Sequence, residues 1–174
     1  MAGTSTYSEC AMAYQLSEFT PADAAAVNQV ALAAFQSYWH AYQDWEAFAR
    51  QIASMAKLSE TSEVIVAKVG GQVVGAVAYV GPGKPKAPFF DPAWPILRML
   101  VVAPDFQGMG IGRALTDECI RRALRDGAAL IALHTSRIMQ VALVMYEHRG
   151  FRFVRDAPMI CGVPYGVYVL TLSQ

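Results

Sequence analysis

Between Leu97 and Arg113 the chain reads Leu-Arg-Met-Leu-Val-Val-Ala-Pro-Asp-Phe-Gln-Gly-Met-Gly-Ile-Gly-Arg. Gly108, Gly110 and Gly112 strip side chains from a turn, and the amphipathic segment that follows makes the last of them the first turn of a helix. Backbone N–H groups left without partners collect there. With the positive end of the helix dipole they make a site for an anion such as a phosphate. Two familiar phosphate turns do not fit. Gly108-Met109-Gly110-Ile111-Gly112-Arg113 lacks the third glycine of G-x-G-x-x-G, and Arg113-Ala114 follows Gly112 where a P-loop needs Lys and then Ser or Thr.

The elements around the turn must hold it in place. Leu97, Met99, Leu100, Val101 and Val102 form an apolar run that ends at Pro104, which suits a buried strand. After the turn, Ile111 to Asp126 places Ile111, Leu115, Cys119, Ala123 and Leu124 on one side of a helix, with Gly127 as its cap. Upstream, Tyr14-Gln15-Leu16 opens a first strand. Thr20 and Pro21 start a helix running from Ala22 to about Gln36, with Ala26, Val30, Ala33 and Ala34 as its apolar face. A second helix is predicted over Asp44 to Lys57, and the aromatic cluster from Phe35 to Trp45 is either core packing or a pocket wall. Glu63 to Val69 and Gln72 to Val80, joined by Gly70-Gly71, read as a hairpin. Gly81 to Pro95 is a loop. Ala128 to Thr135 is a strand, Gln140 to Arg149 a short helix capped by Gly150, and Phe151 to Val154 and Val167 to Leu172 are closing strands.

Composition bounds the function. The 174 residues, 55% hydrophobic and 16% charged, suit one globular domain, read as 13–174 after a loose tail at 1–12. Fourteen Lys and Arg balance fourteen Asp and Glu, which argues against a nucleic-acid partner, and no apolar run has the length of a membrane span. The start lacks the parts of a secretory signal, so a cytoplasmic protein is expected. Cys10, Cys119 and Cys161 form no CxxC pair and fit reduced thiols better than a disulfide or zinc framework; no metal is expected. So apolar a chain is compatible with a homodimer.

Gln107-x-x-Gly110-x-Gly112 matches the Q/R-x-x-G-x-G/A pattern of the GCN5-related N-acetyltransferases, the GNAT family. Val102-Ala103-Pro104 resembles the family's V-x-P, and Ala142-Leu143-Val144-Met145-Tyr146-Glu147-His148-Arg149-Gly150-Phe151 its A-x-x-x-Y-E-x-x-G-F segment. The similarity spans about residues 14 to 172, in the same order of elements. The resemblance implies a mixed α/β fold whose central, mostly antiparallel sheet, flanked by helices, splays open at the cofactor cleft. It implies acetyl-CoA as cofactor, held by the backbone of Leu100, Val101 and Val102 and by Gln107, Gly108, Met109, Gly110, Ile111, Gly112 and Arg113, with Tyr146 nearby.

Acetyl transfer to an amine makes further demands. By the same resemblance the amide of Leu100 is the oxyanion donor, and one such donor can be worth ~3 kcal/mol of transition-state stabilisation. Tyr146 matches the family's general acid for the departing thiolate, its plainer reading being a core aromatic. Ile96 stands where some members carry a glutamate base, and Met139 where many have an asparagine. Asp91, His40, His134 or a water chain are the alternatives for the base. The acceptor is expected to be a primary amine of a small molecule or peptide with an apolar or planar part. Carboxylates are too sparse around the cleft for a polycation. Tyr38, Trp39, Phe90, Trp94, His134 and Tyr165 are its candidate contacts, with Cys161 to Tyr165 closing over the cleft. The competing class is a domain that binds an acyl-CoA as a sensor or interaction module without transferring the group.

Overall fold

The apolar runs on either side of Gly70-Gly71 lack the alternation of a half-exposed hairpin because both of their faces are covered. A computed structural model of the chain describes residues 13–173, so the expected tail at 1–12, with Cys10, lies outside the described residues. Strands β1 (Tyr14–Glu18), β2 (Glu63–Val69), β3 (Gln72–Val80), β4 (Ile96–Val102), β5 (Leu130–Thr135), β6 (Arg152–Ile160) and β7 (Val163–Thr171) build one sheet in the order β1-β2-β3-β4-β5-β7-β6. Every neighbouring pair is antiparallel except β4 and β5. The fold is mixed α/β, mostly antiparallel, with helices on both faces, as the resemblance implies.

On one face α1 (Ala24–Gln36) and α2 (Trp45–Ile52) pack on Val66, Val73, Ala76 and Val101 through Val27, Val30, Phe48 and Ile52. On the other, α3 (Ile111–Arg125) and α4 (Gln140–His148) cover Ile65, Val74, Val77 and Leu133 with Ile111, Leu115, Cys119 and Tyr146. Gly75 sets how closely α3 lies on the sheet: a Cβ there would come within 3.1 Å of Ile111.

The structure revises several sequence expectations. The predicted helix over Asp44 to Lys57 is broken. α2 ends at Ile52 and a separate 3-10 helix runs from Met55 to Glu60. The Ser54 hydroxyl donates to the Gln51 carbonyl (2.7 Å), and the Ala56 amide donates to Asn28 Oδ1 on α1 (2.8 Å), a side-chain acceptor in place of a helical one. On α1 the buried positions are Val27, Val30 and Ala31, while Ala33 faces outward. On α3 Leu124 is exposed and Arg122, 4% exposed, lies inside instead. Glu18, Glu63 and Glu118 surround its guanidinium, which overrides the apolar-face pattern. The closing strands are longer than predicted and form a hairpin around Cys161 and Gly162, both at positive φ (43° and 81°). β6 is the edge of the sheet, so Pro158 interrupts no outer ladder, and the register shifts beside it. Among the described residues no helix is long and apolar enough to cross a membrane.

Candidate active site

The parallel neighbours β4 and β5 pair at a single register position, Ile96 with Ala132, where the Ala132 amide donates to the Pro95 carbonyl (3.0 Å). Beyond it the strands diverge. Their parallel sense puts the C-terminal ends of both at the same opening, a place where α/β sheets commonly bind ligands. On its other side β4 bulges. Ala78 pairs with Arg98 and Ala76 with Val101, so Met99 and Leu100 together face Val77. Met99 takes a left-handed conformation at φ 55°, a strained state for a residue with a side chain and one that clusters at functional sites. The bulge re-aims the backbone at Leu100 into the opening.

Pro104 starts one turn of 3-10 helix, and the chain then passes through Gly108 and Gly110 at φ 79° and 82°. Gly110 is the N-cap of α3, and no side chain caps that helix. Ala114 is the first amide to reach a helical acceptor, the Gly110 carbonyl at 3.0 Å. The amides of Ile111, Gly112 and Arg113 make no backbone bond among the described residues, so a fixed cluster of donors sits at the dipole's positive end. Gln107 reaches back instead. Its Nε2 donates to the Val102 carbonyl (3.2 Å), tying the turn to β4.

A cavity of about 320 Å³ opens here, lined by Leu100, Val101, Val102, Gln107, Gly108, Gly110, Ile111, Gly112 and Arg113. Met109, the other residue expected in this set, packs against the core on the α3 side. The glycine turn and its uncapped amides fit a pyrophosphate. A second cavity, about 370 Å³, lies on the far side of Leu100 and holds Arg98, His134, Tyr146 and Tyr165. Phe35, Leu100, Met139 and Ala142 line both, so the two form one cleft that passes the β4 bulge.

Tyr146 projects from α4, 5% exposed, with its ring edge-on to Phe151 at 5.7 Å. Burial raises its pKa, so the hydroxyl keeps its proton across the working pH range. His134 lies among the rings of Phe89, Phe90 and Tyr165, with centroids 5.4–5.7 Å away. Its buried Nδ1 has no hydrogen-bond partner among the described residues. Burial, then the charge of Arg98, pulls the imidazole down to about 4, so it is neutral at physiological pH. The Tyr165 hydroxyl shares a 2.6 Å hydrogen bond with that of Tyr42, which fixes the wall beside His134. Met139, at the position of the frequent asparagine, accepts through sulfur from the Thr135 hydroxyl (3.8 Å).

The remaining expected residues lie elsewhere. Tyr38 lines the cavity at the glycine turn, not the one at Tyr146. Trp39 is 56% exposed and lines neither; Phe90 is buried in the core behind His134; Trp94 stacks under Arg155 at 5.4 Å. His40 and Asp91 also line neither cavity, and Asp91 Oδ1 is taken by the Ala93 amide (2.8 Å) in a local turn. Of the base candidates only His134 faces the cleft. The hairpin turn at Cys161 and Gly162 is pinned by the Gln43 amide, which donates to the Cys161 carbonyl (2.9 Å). Sequence reading passed over Arg98 and Lys57, which both line the second cavity. The available signal for Arg98 was one charge inside an otherwise apolar strand.

Known proteins share this architecture. A structure from Pyrococcus horikoshii matches with a TM-score of 0.74 at 17% identity, over 93% of this chain and 100% of that one. The PaiA N-acetyltransferase of Thermoplasma acidophilum, solved in complex with coenzyme A, matches at 0.70 and 16% identity, covering 90% and 98%. A GNAT family acetyltransferase of Brucella melitensis, in complex with acetyl-CoA, gives 0.64 at 23%, covering 94% and 90%. In sequence, N-acetyltransferase family 8 member 3 of the rat is 33% identical over 107 residues, 55% of this chain and 46% of that protein. The chain thus matches less than half of that relative's length. The model of the acetyltransferase (GNAT) family matches residues 24–151, a stretch that includes the bulge, the glycine turn and Tyr146. Over that span the match goes beyond likeness of fold, and the chain belongs to the GNAT family of acetyltransferases.

Proposed function

We propose that the protein transfers an acetyl group from acetyl-CoA to a primary amine of a small molecule or peptide, directly, with donor and acceptor bound together. The observation that carries this reading is the continuity of the cleft. Uncapped amides at the glycine turn and the Tyr146 hydroxyl lie in adjoining cavities, joined at Leu100 by the bulge.

Acetyl-CoA supplies the thioester whose carbonyl the amine attacks. Gly108, Gly110 and the first amides of α3 would hold its pyrophosphate, and the backbone of Val102 and Leu100 would align its arm. The Leu100 amide donates to the carbonyl oxygen as negative charge grows on it. Tyr146 gives its proton to the sulfur as the carbon–sulfur bond breaks. An acceptor that enters as an ammonium gives up two protons. The first goes to solvent before the attack and leaves a neutral nucleophile; His134 takes the second from the adduct and returns it through solvent to Tyr146. The nitrogen becomes strongly acidic while its bond to carbon forms, so an imidazole held near 4 still suffices as acceptor.

Removing the hydroxyl tests this assignment. Tyr146→Phe is expected to lower kcat by about 100-fold, in the range for loss of a general acid, while acetyl-CoA binding by calorimetry stays within about twofold, below 0.5 kcal/mol. Wild-type turnover in that variant would remove Tyr146 from the mechanism.

A further inference from the structure

Arg98 is one charge in the strand Ile-Leu-Arg-Met-Leu-Val-Val, and it lines the cavity at Tyr146. Its backbone pairs with Ala78 in the ladder, but its guanidinium makes no hydrogen bond or ion pair with any described residue. Burial alone moves its pKa, downward, with no carboxylate near enough to offset it. The chain treats another arginine differently: Arg122, more deeply buried, is surrounded by Glu18, Glu63 and Glu118. No acidic side chain lines the Arg98 cavity, and Lys57 adds a second cation. A guanidinium that no carboxylate balances, half-buried in an apolar-walled site, is a ready partner for a ligand's anion. Its planar fork fits a carboxylate in two parallel hydrogen bonds. The pyrophosphate of the donor is not that anion, because the glycine turn lies beyond Leu100 and Met139 in the other cavity.

We infer that Arg98 selects the acceptor by binding its carboxylate, so that the substrate is a small amine of the amino-acid class with an apolar side chain seated among Phe35, Phe48, Met55 and Leu58. A polyamine or a lysine side chain lacks that group and meets two cations instead. The inference rests on the acyl-transfer reading above and narrows it to one acceptor class.

The test compares phenylalanine, leucine and methionine with their amides and their decarboxylated amines, on the wild type, Arg98→Gln and Arg98→Lys. In the wild type kcat/KM is expected to favour at least one free acid over its amide and its decarboxylated amine by about 10- to 100-fold, the span of a charge-assisted pair. Arg98→Gln erases the preference, Arg98→Lys keeps part of it, and KM for acetyl-CoA is unchanged in both. Because the Arg98 side chain has no partner to lose among the described residues, neither variant is expected to lower Tm. Equal kcat/KM with and without the carboxylate, or a preference that persists in Arg98→Gln, overturns the inference. Calorimetry with N-acetylphenylalanine, N-acetylleucine, N-acetylmethionine and their amides separates this from the parent reading. Arg98-dependent binding of any of the acids upholds it even where no amine is turned over, and equal affinity for every acid and amide overturns it.

Discussion

Gly110 and Gly112 are two residues apart in the same turn and face different constraints. Gly110 sits at φ 82°, where any Cβ is strained by about 1–2 kcal/mol. Gly112 lies inside the first turn of α3, and a Cβ there would come no closer than 3.7 Å, to Met145. Gly110→Ala is therefore expected to lower stability by about 1 kcal/mol and, by shifting the uncapped amides, to weaken acetyl-CoA binding about tenfold (1.4 kcal/mol). Gly112→Ala should bind within twofold of wild type, and calorimetry on the pair distinguishes the two positions. His134 offers a test by pH. Its folded pKa of about 4 lies below the ordinary 6.5, so the unfolded chain binds more protons between those values. Its contribution is present above pH 6.5 and is lost as pH falls towards 4. Urea titrations across that window should show a shallower loss of stability in His134→Gln than in the wild type; identical slopes would mean that the imidazole is not buried neutral. At this scale the glycine turn was legible because spacing alone limits what a run of glycines can do. Arg98 was not, since a single charge in an apolar strand has no period, and its significance is a guanidinium with no partner among the described residues.

At the scale of elements, the strands flanking Gly70-Gly71, the helix after the glycine turn and the helix carrying Tyr146 were legible from periodicity and caps. The break after α2 and the extent of β6 and β7 were not. Both depend on distant partners, Asn28 under Ala56 in one case and Gln43 under the Cys161–Gly162 turn in the other. The inward Arg122 is a third example. Helical periodicity assigned that stripe to Leu124, but carboxylates from β1, β2 and α3 converge on the guanidinium and tie the far end of α3 to the sheet. Arg122→Met should cost about 1 kcal/mol in urea unfolding, because solvent screens Glu18 and Glu63, 69% and 41% exposed, and only Glu118 is left with little water around it. Acetyl-CoA affinity should be unchanged, as the cluster lies away from the glycine turn. A neutral effect on stability would show the cluster to be merely solvated.

Across the whole molecule, one departure from regular pairing creates the site. The sheet closes on both sides of the β4–β5 boundary yet pairs there at Ile96 and Ala132 alone, and the bulge at Met99 turns the backbone into the gap. The order of elements and the position of this opening were legible through the resemblance. The acceptor side was not, because its walls come from α1, α2, β5 and the β6–β7 hairpin, segments far apart in sequence that carry no shared motif. Aromatic richness pointed to Trp39, Phe90 and Trp94 as well as His134 and Tyr165; of these only His134 and Tyr165 line the cavity at Tyr146, with Phe35, Phe48 and Arg98 beside them. That geometry makes acetyl transfer across the bulge the central claim. The most direct test is to incubate the protein with acetyl-CoA and a panel of primary amines, amino acids included, and to follow free thiol and acetylated amine together by mass spectrometry. The account predicts one acetylated amine for each thiol released, with both losing about two orders of magnitude in Tyr146→Phe. Tight acetyl-CoA binding with no acetylated amine from any member of the panel would contradict it and identify a binding module.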